Sequence, residues 1–173
     1  MKKIASPVIL LLLFSNALVA QKGTIAMSIN AGSTTSLTQS ASYKYGIHLS
    51  SIFSCGVSST KNDAATFGVG YHTIKFKYTP TGGLNMLDFK IGYRFFPSAK
   101  VPIYLHPNAG VGFYTGDYGG KKAQGNLGIT LGYLPNVGNG NINVFAAYNN
   151  FRFSPNLSLL HLGLGYQFKL KGK

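Results

Sequence analysis

Residues 160–170 read Leu160-His161-Leu162-Gly163-Leu164-Gly165-Tyr166-Gln167-Phe168-Lys169-Leu170. Every second residue is large and apolar, and the residues between are His, Gly, Gly, Gln and Lys. Successive side chains leave a strand on opposite sides, so this period of two describes a β-strand whose faces meet different surroundings. A helix would mix Leu with Gly and Gln on one face, and two internal glycines weaken it further.

The same alternation recurs upstream. Leu127, Ile129, Leu131 and Tyr133 alternate with Asn126, Gly128, Thr130 and Gly132. Leu87, Phe89, Ile91, Tyr93 and Phe95 alternate with Asp88, Lys90, Gly92 and Arg94. Ile103, Leu105, Ala109, Val111 and Phe113 face away from Tyr104, His106, Asn108, Gly110, Gly112 and Tyr114. Less regular segments start at Ile25, Tyr43, Thr66 and Asn141. In the third of these, Phe67, Val69 and Tyr71 hold one parity and Ile74, Phe76 and Tyr78 the other, which predicts a β-bulge near Thr73. That makes eight segments of about 8–14 residues, against the roughly 9–11 a tilted strand needs to cross a bilayer. Turn residues separate them, at 32–42, 58–64, 79–83, 97–100, 115–123, 135–140 and 154–157. Residues 21–173 read as one domain.

The composition narrows the chemistry. The 173 residues carry 16 Lys+Arg against 3 Asp+Glu, and the acids are Asp63, Asp88 and Asp117. An enzyme built on clustered carboxylates would have to draw on those three. Cys55 is the single cysteine, so no internal disulfide forms and no Cys-rich zinc site exists; it reads as a small residue on an apolar face. Lys2-Lys3, the apolar run Val8 to Phe14 and the small residues before Gln21 form a secretory signal peptide over residues 1–20, cleaved near Ala20. Its removal takes two charges off the formal +13.

An eight-stranded antiparallel meander closes into a barrel. The polar faces, rich in Gly, Asn, Thr, Ser and His, hold too few charges to solvate an exterior and suit a crowded, hydrogen-bonded lumen. The apolar faces carry no charge and suit lipid. Tyr93, Phe95, Phe113, Tyr133, Tyr148, Tyr166 and Phe168 sit near strand ends, as aromatic girdles do. Closure pairs every ladder group, which the bilayer demands. The expectation is therefore an all-β, eight-stranded, antiparallel up-and-down transmembrane β-barrel. With both termini on the inner side, 32–42, 79–83, 115–123 and 154–157 are outer loops.

These features resemble the small eight-stranded outer-membrane β-barrel proteins of the OmpX-like and OmpA-barrel-like kind, particularly those of Bacteroidetes, over about residues 21–173. The carriers are the signal peptide, the aromatic strand pattern, the stretch Ile91-Gly92-Tyr93-Arg94-Phe95-Phe96-Pro97, and the final strand Leu162 to Phe168. The resemblance implies a monomer in the outer membrane of a Gram-negative cell, in contact with lipid and lipopolysaccharide. It also implies that the barrel-assembly machinery reads the C-terminal strand.

Site candidates follow from parity. His48 and Ser50 lie two apart and share a face, the spacing of a base–nucleophile pair. Some outer-membrane barrels are lipid A deacylases with a His-x-Ser motif, but here the pair falls on the lumen face and no glutamate is present. The plainer reading is a hydrogen-bonded lumen pair. Asp88, Lys90, Arg94, His106 and His161 form a lumen polar network, in which Asp88 pairs with Lys90, Arg94 or a base across the barrel; an anion-favouring small pore is the functional alternative. His72 is the remaining histidine, and no histidine spacing suggests a metal or other cofactor. Lys75, Lys77, Lys121, Lys122 and Arg152 map to outer ends, where cations attract lipopolysaccharide phosphates. The scattered bases of an exported chain do not suggest nucleic acid. The leading expectation is a non-enzymatic barrel protein with a structural or surface-interaction role.

Overall fold

The structure is a computed structural model that describes residues 24–38, 43–57, 63–76, 83–98, 100–114, 123–152 and 157–171. The signal segment and its cleavage point lie outside the described residues. The strands are β1 (Ile25–Ser36), β2 (Tyr43–Gly56), β3 (Ala64–Phe76), β4 (Gly83–Arg94), β5 (Ile103–Tyr114), β6 (Ala123–Tyr133), the two-residue β7 (Asn136–Val137), β8 (Gly140–Phe151) and β9 (Leu157–Lys171). All pairings are antiparallel. The order β6-β5-β4-β3-β2-β1-β9-β8 closes on itself through β6–β8, giving an eight-stranded barrel, while β7 only tightens the turn into β8. In that turn Gly138 has φ 59, a left-handed conformation that favours glycine.

The alternating faces divide as the periodicity predicts. Leu127, Ile129 and Leu131 point outward, as do Leu162 and Leu164, the last 62% exposed. Two aromatic belts bound this apolar band. Tyr45, Tyr71, Phe113 and Tyr148 lie toward the outer end, and Phe53, Tyr93, Phe95, Tyr133, Tyr166 and Phe168 toward the inner end. Thirty large hydrophobic side chains are exposed among the described residues, far beyond the few hundred Å² of apolar patch that water-soluble monomers show. No described helix is long and apolar enough to cross a membrane, and a barrel needs none.

Two expectations are corrected. The ladder between β3 and β4 runs unbroken from Ala64↔Arg94 to Lys75↔Gly83, so β3 has no bulge at Thr73. The irregularity is on β2, between Tyr43 and Gly46. Ile74 therefore points into the barrel by regular alternation. The apparent parity change arose because the lumen itself turns apolar at its outer end. In addition, β1 continues through Ser36, well into the segment read as the 32–42 loop.

Interior glycines make room for large neighbours. A Cβ on Gly132 would strike the Tyr104 ring, one on Gly163 the Phe145 ring, and one on Gly70 the Asp88 carboxylate; in each case the two residues face each other across a ladder. This alternation of large and small fills a narrow barrel. The lumen is layered along its axis. Ile74, Leu84, Met86, Phe151, Leu157 and Leu159, with Tyr114 against them, form an apolar cluster across the outer end. Phe96, Tyr104 and Leu134 form a smaller one at the inner end. Polar side chains occupy the space between.

Candidate functional site

β2, β3 and β9 each bring one histidine to the polar layer beneath the outer cluster. The His48 ring lies 4.7 Å from that of His72, stacked at 23°, and 4.7 Å from that of His161; His72 and His161 are 4.9 Å apart. Asp88 holds this group from β4. Its Oδ2 lies 3.0 Å from His72 Nε2 and 2.7 Å from Lys90 Nζ, and Asn126 donates to it at 3.5 Å. A carboxylate only accepts, so His72 carries its proton on Nε2. Lys90 also donates to Asn149 at 3.1 Å, and Thr34 Oγ1 is hydrogen-bonded to His161 Nδ1 at 2.7 Å. His48 Nδ1, His72 Nδ1 and His161 Nε2 are buried without partners. No three His, Cys, Asp or Glu side chains among the described residues are grouped to hold a metal ion.

Below this layer lies a cavity of about 50 Å³, lined among others by Asn30, His48, Ser50, Asp88, Lys90 and His106. One water needs roughly 10–15 Å³ of such space, so the cavity suits a few waters between polar walls. His106 bonds Thr66 Oγ1 at 2.7 Å and does not join the other three histidines. Further in, Tyr104 donates to Asn143 at 2.8 Å and Asn143 donates to Asn30 at 2.8 Å. Arg94 spans the lumen, donating from Nη1 to Gln167 Oε1 at 2.6 Å, with its Cζ 4.7 Å from the Tyr104 ring centroid.

These positions sort the sequence candidates. His48 is 5% exposed inside the barrel, stacked on His72 and tilted against His161, and Ser50 accepts a hydrogen bond from Asn30 at 3.4 Å. A lipid chain outside the wall reaches neither. Asp88 pairs with Lys90, whereas Arg94 sits apart at the inner end. Lys75 and Arg152 are exposed at the outer end, and Lys77, Lys121 and Lys122 lie outside the described residues. Parity had placed His161 and His106 in the lumen, but it carried no information on axial height, so the contact of His161 with His48 and His72 was not foreseen. Asp63 was also missed. It turns back at the inner rim to accept the Phe96 N–H at 2.8 Å and the Tyr93 hydroxyl at 3.5 Å. Its place in the turn sequence Lys61-Asn62-Asp63 was the available signal.

No protein-family model matches the sequence, and no curated protein matches it. Solved structures do. The outer-membrane protein Ail of Yersinia pestis in a phospholipid bilayer nanodisc superposes with TM-score 0.59 at 15% identity, covering 84% of this chain and 99% of Ail. Neisserial surface protein A gives TM-score 0.59 at 15% identity, covering 87% of this chain and 98% of that one. The crystal structure of Ail gives 0.56 at 14%, covering 86% and 100%. At such identities the likeness concerns the fold: this chain has the closed eight-stranded antiparallel architecture of small outer-membrane barrels.

Proposed function

We propose that the protein is a non-enzymatic integral outer-membrane barrel, monomeric, with a structural or surface-interaction role and a lumen that does not conduct. The observation that carries this reading is the pairing of a charge-free apolar outer band with a lumen crossed by apolar side chains at both ends. The band makes lipid the solvent of the outer face. The outer cluster from Ile74 to Leu159 and the inner cluster of Phe96, Tyr104 and Leu134 stand across any axial path. A filled interior is usual for eight strands. The exposure of Lys75 and Arg152 beyond the outer aromatic belt supports a contact with lipopolysaccharide phosphates. The alternation of the last strand through Phe168 supports its recognition by the assembly machinery.

The lipid-hydrolase alternative requires His48 and Ser50 to meet a lipid, and their place inside the wall weighs against it. Two measurements test the reading. Lipid A from producing and non-producing cells is compared by mass spectrometry, and the same acylation pattern is expected, with Ser50→Ala equally without effect. Purified protein in a planar bilayer is expected to give no steady conductance. A deacylated lipid A that Ser50→Ala restores, or a stable open channel, would overturn the proposal.

A further inference from the structure

Arg94 ends β4 near the inner mouth of the barrel and is 1% exposed. A guanidinium stays charged in proteins, and a buried charge without a counter-charge is strongly unfavourable. Its polar partner, the Gln167 amide oxygen, and its aromatic neighbour, Tyr104, are both neutral. Nε and Nη2 are buried with no hydrogen-bond partner. Those two atoms form one edge of the guanidinium, the fork whose parallel N–H bonds match two oxygens of a carboxylate or phosphate.

The chain's own acids are committed elsewhere. Asp63 accepts from Phe96 and Tyr93. Asp88 is held by Lys90 and His72. No ion pair joins either to Arg94 among the described residues. Asp117 falls in the sequence between β5 and β6, outside the described residues. Arg94 reaches from β4 to Gln167 on β9, and the shorter arc between them runs through β3, β2 and β1. The lumen side chains of that arc include Ala64, Thr66, Ser54, Ala26 and Ser28, all buried and small, with the larger Ile52 paired opposite Ser28.

We infer that the Nε–Nη2 edge of Arg94 is the seat of a small oxoanion, of the carboxylate or phosphate class. The anion neutralises a cation that the chain leaves uncompensated and braces β4 against the β1–β9 wall.

The sequence holds two arginines, Arg94 and Arg152, and Arg152 is exposed at the other end. Isotope-labelled arginine therefore gives two Nε–H resonances, one of them an internal reference. The folded full-length protein in detergent micelles is moved from chloride into formate, then phosphate, at matched ionic strength. The expected result is a saturating downfield shift of the Arg94 Nε–H, with Arg152 following bulk anion only weakly. In parallel, formate should raise the temperature at which the folded band is lost on a semi-native gel, and Arg94→Gln should remove that rise. An Arg94 resonance that neither anion moves overturns the inference, and this reading needs no variant to fold.

Discussion

At the scale of single residues, charge neutralisation explains why so few acids suffice. Asp88 has 0% side-chain exposure and faces three bases or donors at once: Lys90, His72 and Asn126. Lys90 in turn is only 17% exposed. Removing one partner of such a pair leaves the other buried and unpaired, which costs more than the pair contributes net. Asp88→Asn is therefore expected to lower stability by roughly 3 kcal/mol or more, read as an earlier midpoint in urea unfolding from lipid vesicles. Asp88→Asn combined with Lys90→Met should recover most of the loss, because no lone charge remains. Equal loss in the single and double variants would mean that the pair is not the stabilising unit. His48 teaches the opposite lesson. The spacing to Ser50 suggests chemistry in the sequence, yet the ring is packed against two other imidazoles, and burial, not reactivity, accounts for its environment.

At the scale of the strand, the sequence showed faces but not registers. The alternation Leu160 to Leu170 assigned inside and outside correctly, because the period of a strand is two whatever it pairs with. Axial height depends on which residues pair, and the ladders set that only after folding. Hence His161 could be placed in the lumen but not beside His48 and His72. The error at Thr73 has a related cause. A parity rule treats apolar as outward, and β3 enters a stretch where Ile74 packs inward on Leu84 and Met86. Glycine positions carried a second, unread code, since Gly132 and Gly163 mark where Tyr104 and Phe145 must lie. Gly163→Val should force the Phe145 ring aside, press on the Ala31 carbonyl and cost about 1–3 kcal/mol of stability. Adding Phe145→Ala should return part of it, so a double-variant cycle with no coupling would show that the ring does not need that gap. The ladder between β4 and β5 loses its regular pairing between Gly92↔Asn108 and Phe95↔Leu105, where Pro107 has no N–H to give. That break lies beside Arg94, so the strand end that bears the buried cation is also where the ladder between β4 and β5 is interrupted.

At the scale of the whole molecule, solvent decides the arrangement. The barrel is polar within its middle and apolar around its waist, the inverse of a soluble barrel, and the aromatic belts show where the waist begins and ends. Position along the axis should therefore set the cost of an outward charge. Leu164 faces out on β9 about midway between the belts, with Tyr166 and Phe168 marking the inner side. Thr73 faces out on β3, beyond Tyr71 and next to the exposed Lys75. Arginine at the bilayer midplane costs about 2–4 kcal/mol in such barrels and about 0–1 kcal/mol near the interface. Leu164→Arg should thus cut folding stability in phospholipid vesicles by about 2–4 kcal/mol, and Thr73→Arg by about 1 kcal/mol or less. The contrast should shrink in short-chain detergent, where water reaches the waist. Matching losses at the two sites in vesicles would refute a membrane-spanning waist at this height, even with every strand pairing intact. The depth dependence of a single charge therefore reports what surrounds the wall, independently of the fold, which any closed eight-stranded barrel shares.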